Sequence, residues 1–184
     1  MDFDFEPFDI ILRDGRQVHV RPLRSSDQEE ILQAFDRLSP EARYMRFMSA
    51  VKQLDERWLR DALARFPERG VGIAATIPAA DGIDIVGAAS CVIGADPETC
   101  EFAITIVDPY AGGGLGKRLL TTLIEVSRRR GLRVMEGFVL ASNKPMLKVA
   151  KRLGFEIRFD PDDPSVRIVR LELGSKAAEG GQAG

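Results

Sequence analysis

The 184-residue sequence is poor in the side chains that most often announce a chemistry. It has one histidine, one tryptophan, two tyrosines and two cysteines. A lone His19 with no Cys/His cluster argues against a zinc site, and no metal is expected. Cys91 and Cys100 form no Cys-x-x-Cys pair and fall in strand-like runs, so they read as free buried thiols of a reducing compartment. Neither sign of charge is in excess: 26 basic and 28 acidic residues leave a net charge of −2. A nucleic-acid partner is not expected from that balance. No apolar run approaches the roughly 20 residues that cross a bilayer, so no membrane partner is expected. Asp2, Asp4, Glu6 and Asp9 give the N-terminus the wrong charge for a secretory signal. A cytoplasmic protein is expected.

What is present is an ordinary soluble composition, 45% hydrophobic and 29% charged, on a length that suits one domain. Residues 18–22 read as a short strand. Ser26 and Glu29 have capping-box spacing, which predicts a helix to about residue 38. Ser39-Pro40 starts a second helix, and residues 55–65 form a third. Strands follow over 71–77, 83–93 and 101–107, with Asp81-Gly82 as a turn and Gly87 marking a bulge or a close approach. Residues 114–130 are amphipathic, with Leu115, Leu119, Leu120, Leu123 and Ile124 on one face. Arg128, Arg129 and Arg130 read as the solvated end of that helix. A strand over 134–140, a helix over 143–153 and strands over 155–159 and 166–173 complete the order. The strand–helix–strand unit places one parallel pair in an otherwise antiparallel sheet, an α/β (mixed α+β) architecture. Residues 1–14 read as an N-terminal extension, 15–173 as the domain and 174–184 as a disordered tail.

The informative stretch is Glu101 to Leu120, where a strand enters Ala111-Gly112-Gly113-Gly114-Leu115-Gly116-Lys117 and a helix begins at once. Glycines let backbone N–H groups converge, and a helix N-terminus adds unpaired donors and partial positive charge. Together they suit an anion. Lys117 is followed by Arg118, so a Walker loop is excluded, and the GxGxxG spacing of a dinucleotide fold is not met.

This stretch resembles motif A of the GNAT superfamily of N-acetyltransferases, Gln/Arg-x-x-Gly-x-Gly/Ala, with Ala111, Gly114 and Gly116 at its marked positions. Asn143 followed by Leu153-Gly154-Phe155 is similar to the family's second block. Upstream, Val20-Arg21-Pro22-Leu23-Arg24 with Asp27, and Leu38 to Phe47, resemble the opening of bacterial Pat-type protein lysine acetyltransferases. The resemblance implies a GNAT fold, a mostly antiparallel sheet splayed around acetyl-CoA. It implies direct attack of an amine on the acetyl thioester, with Glu101 as general base. Gly112, Gly113, Gly114, Leu115, Gly116 and Lys117 would hold the cofactor's pyrophosphate. Ile104, Thr105 and Ile106, on a strand with a family bulge, would meet the pantetheine and the acetyl carbonyl, as would Asn143, which is equally a helix cap. Ala150 stands where many members have a tyrosine acid. The expected acceptor is a protein lysine, with an acyl-CoA synthetase among the candidates. A small amine or antibiotic is the alternative, and a non-catalytic acyl-CoA-binding module a third. A monomer or homodimer is expected.

Overall fold

The computed structural model describes residues 5–174; the tail expected over 174–184 lies almost wholly outside the described residues. Eight strands form one sheet: β1 Phe8–Ile11, β2 Gln17–Pro22, β3 Gly70–Ala79, β4 Gly82–Ile93, β5 Thr99–Ile106, β6 Val134–Leu140, β7 Glu156–Phe159 and β8 Val166–Glu172. Their order is β1-β2-β3-β4-β5-β6-β8-β7. Every neighbouring pair is antiparallel except β5–β6. The mixed architecture expected from the sequence is the one observed. The segment 1–14, set apart as an extension, carries β1, which pairs with β2 from Phe8↔Val20 to Ile11↔Gln17.

Three helices lie between β2 and β3: α1 Gln28–Asp36, α2 Pro40–Phe47 and α3 Glu56–Leu63. The helix predicted from Ser26 starts later because Asp27 is occupied elsewhere. Its carboxylate takes two bonds of 2.8 Å from Arg21 and one of 2.7 Å from the Arg24 N–H. Both members of that pair are buried, so Arg21 and Asp27 tie the first helix to β2. A fork-on-carboxylate pair with every oxygen engaged is the arrangement in which burial of charge is tolerated.

The other face carries α4 Leu115–Arg129 and α5 Lys144–Arg152. Leu115, Leu119, Leu120, Leu123 and Ile124 are buried against the sheet, each contributing about 1.5–3 kcal/mol. The helix end is not simply solvated: Arg128 donates to the Leu173 carbonyl at 3.0 Å, and Arg130 to the carbonyls of Gly70 and Pro67. Cys91 and Cys100 are free and buried, with Cys91 Sγ 3.4 Å from Ser127 Oγ.

Two apolar clusters follow, one on each face of the sheet. Leu119, Leu120 and Leu123 pack with Ile73, Ala89 and Cys91 on the α4 side, and Ala34, Phe35 and Leu38 with Ala74 and Ile85 on the α1 side. Strand β4 changes parity at a bulge, where Ala75 faces Gly87 but Thr76 faces Ile85, leaving Val86 extra. Gly87 also permits a close approach: a Cβ there would lie 2.9 Å from Ile106 Cδ1 and 3.3 Å from Leu115 and Leu119.

Candidate active site

Strand β5 sets the site. It pairs with β6 only at Thr99↔Val134, Cys100↔Met135 and Glu101↔Glu136, after which the two strands part. Its antiparallel ladder with β4 continues unbroken from Cys100 to Ile106, so the bulge expected on β5 is not there. The irregularity lies on β4 instead, and the splay comes from divergence of β6. Val107 donates to the Val86 carbonyl on the β4 side at 2.9 Å. Peptide groups alternate along a strand, so Thr105 turns its N–H to β4, whereas Ile104 and Ile106 turn theirs into the open wedge.

The chain leaves β5 through a single 3-10 turn, Asp108–Tyr110, and enters the glycine segment. Gly112 and Gly114 have φ of +78° and +94°, a region L-residues with a Cβ rarely adopt. The consequence is a cradle of donors. Among the described residues, no backbone N–H from Gly112 through Lys117 has a hydrogen-bond partner, and the first bond of α4 runs from the Arg118 N–H to the Gly114 carbonyl at 3.1 Å. Arg16 holds the preceding turn in place through the Pro109 carbonyl at 2.7 Å. Six free donors and the positive end of a 15-residue helix make an anion site that needs no side chain.

A cleft of about 710 Å³ joins these pieces. Glu101, Ile104, Thr105, Ile106, Gly112, Gly114, Gly116, Lys117 and Asn143 all line it. Gly113 and Leu115 do not; Leu115 is buried toward the core, and each offers at most its N–H. Asn143 caps α5, accepting from the Met146 N–H at 3.2 Å. That bond uses its amide oxygen and leaves the NH₂ unengaged among the described residues, so the two expected roles are compatible. Ala150 is fully buried, and neither Tyr44 nor Tyr110 lines the cleft.

On the α1 side of the sheet lies a second cavity of about 440 Å³, walled by residues such as Phe35, Phe47, Trp58, Leu59 and Ala89. Phe47 stands edge-on between Phe35 and Trp58, with centroids 5.8 and 6.3 Å away. The two cavities share Glu101, Phe102, Ala103, Thr105 and Arg46. Glu101 is exposed at this junction. Burial pulls the Arg46 guanidinium below its ordinary range, an effect the Glu101 carboxylate partly offsets. Sequence reading missed Arg46 and the aromatic wall; the only trace was the Tyr44-Met45-Arg46-Phe47 run. Helix α2, which carries Arg46 and Phe47, is fixed by Asp108 at the end of β5, whose carboxylate accepts from Ser39 N–H at 2.9 Å and Ser39 Oγ at 2.8 Å.

Known proteins share this arrangement. Residues 17–156 match the acetyltransferase (GNAT) domain family. Acetyltransferase PA5475 of Pseudomonas aeruginosa is 35% identical over 162 residues, covering 88% of this chain and 87% of that protein. The GNAT domain of S. lividans PAT is 26% identical, with a TM-score of 0.80 over 90% of this chain and 96% of that one. Salmonella typhimurium yncA, described with its cofactor acetyl-CoA, shares the fold at 19% identity and a TM-score of 0.66, covering 90% and 99%.

Proposed function

The chain belongs to the GNAT acetyltransferase family, and from that premise we propose that it uses acetyl-CoA to acetylate the side-chain amine of lysine in a protein. The observation that carries the donor half is the row of unpartnered N–H groups from Gly112 to Lys117. A pyrophosphate fits such a row by charge and by hydrogen bonding. In this reading the open edge of β5 at Ile104 and Ile106, and the free NH₂ of Asn143, bind the pantetheine arm. Bound acetyl-CoA supplies an activated acetyl thioester.

Glu101 is the base in this reading. A lysine amine has a pKa of about 10.4, so few molecules are neutral at pH 7, and a carboxylate at the junction of the two cavities is placed to take the proton. No side-chain acid is assigned to the departing thiolate. A thiol pKa of about 8.5 makes one dispensable, and no tyrosine lines the cleft. The lysine reading is supported by the likeness to the S. lividans PAT domain.

A second reading, a small-molecule amine, is favoured by one observation: the apolar cavity of about 440 Å³ beside Glu101. Incubating the protein with acetyl-CoA and either a cell extract or a panel of free amines separates the two. Mass spectrometry should find acetyl-lysine in protein. Rapid acetylation of a free amine with no protein product would replace the lysine reading by the second.

A further inference from the structure

Arg46 is an unpaired charge at the junction of the two cavities. Other arginines near the sheet have partners: Arg21 has Asp27, Arg37 has Asp84 and the Ile85 carbonyl, and Arg43 has the carbonyls of Lys52 and Asp36. Among the described residues no hydrogen bond or ion pair reaches the Arg46 guanidinium. It lies over the Phe47 ring, whose centroid is 4.8 Å away, and the Glu101 carboxylate acts on it only through space. Taking a guanidinium partly out of water without a partner is unfavourable, and such a group is most stable once an anion arrives.

Its position narrows the choice of anion. Arg46 and Glu101 line both cavities, yet no ion pair joins them. They present opposite charges across the place where the apolar cavity opens into the cofactor cleft. The phosphate cradle has its own six donors at the far end of that cleft and does not need Arg46. A molecule complementary to the junction offers an amine to Glu101, a carboxylate to Arg46 and an apolar body to the aromatic wall.

We propose that Arg46 selects acceptors that carry a carboxylate close in space to the amine to be acetylated. Two sources supply that chemistry: the α-carboxylate of a free apolar amino acid, or an Asp or Glu side chain flanking the acceptor lysine in a protein. The inference rests on the acyl-transfer reading above and adds the acceptor's charge to it.

Matched pairs test it. L-phenylalanine is compared with phenethylamine, and a lysine peptide flanked by Asp with the same peptide flanked by Asn. The wild-type protein should prefer the carboxylate-bearing member of at least one pair by about ten- to a hundredfold in kcat/KM, the range of one charge-assisted hydrogen bond. The pair that shows it identifies the source. Arg46→Gln should bring that ratio close to one, which a purely structural role would not do. Should Arg46→Gln fail to fold, Arg46→Lys takes its place, because lysine keeps the charge but loses the two-pronged geometry. No preference in the wild type, or a preference unchanged in the variant, overturns the proposal. Calorimetric binding of the same pairs in the presence of coenzyme A needs no turnover. Arg46-dependent binding without acetyl transfer would sink the reaction and leave the selectivity standing.

Discussion

The glycine turn and the cavity under the first three helices are made of opposite materials. The turn is a backbone device: six consecutive N–H groups and a helix end, with lysine and arginine side chains only nearby. The cavity is a side-chain device, with aromatic rings for walls and the Glu101 carboxylate and Arg46 guanidinium where it meets the cofactor cleft. A backbone site recognises what every family member shares, because it survives side-chain replacement. A side-chain site recognises what differs between members. The donor and acceptor halves of one reaction are thereby set by different physics.

The sharpest way to break this comparison is to remove the carboxylate. Glu101→Gln should lower acetyl transfer by about 10²- to 10⁴-fold, the usual contribution of a positioned base, while acetyl-CoA affinity stays nearly constant. The deficit should shrink as pH rises toward the amine pKa of about 10.4, because solvent then supplies the neutral amine. A deficit constant with pH would make Glu101 a positioning group. Next in size is the converse substitution. Gly114→Glu forces a side chain into φ +94° and puts negative charge in the anion cradle. The backbone cost alone is about 1–2 kcal/mol, and acetyl-CoA binding measured by calorimetry should weaken at least tenfold. Unchanged affinity would mean that the pyrophosphate sits elsewhere.

Asn143→Ala has a smaller expected effect. Loss of the cap should cost about 1 kcal/mol in denaturant unfolding. A simultaneous fall in cofactor affinity would show that the amide serves both purposes. Least of all should follow from Tyr44→Phe or Tyr110→Phe, since neither ring lines the cleft. Loss of transfer in either, with folding and cofactor binding intact, would restore a tyrosine acid.

The two halves were also unequally legible in the sequence. The turn is contiguous, so its glycines, the strand before it and the helix after it are read in one window, and the structure places them as read. The splay of β5 from β6 was expected, but its cause was misplaced. The extra residue is Val86 on β4, beside the Gly87 already suspected of a bulge. Strand β1 was overlooked because Phe8–Ile11 is four residues with an aspartate among them, too short for periodicity to register. The cavity was invisible for another reason. Phe35, Phe47, Trp58 and Ala89 come from four elements, and each alone reads as ordinary core. Only the third dimension shows that they leave a space between them, and that Arg46 lies at its junction with the cofactor cleft.

Helix α2 is unusual in how it is held. It has no fully buried residue. Polar contacts fasten it: Asp108 on Ser39 at one end, and Arg43 on the carbonyls of Asp36 and Lys52. Elements with little buried apolar surface detach at a lower free energy than those of the core. The helix carrying Arg46 is held by side chains at every point, through these polar contacts and through Phe47 packed between Phe35 and Trp58. The acceptor side of the molecule is a wall assembled from replaceable parts, and the donor side is a wall of backbone.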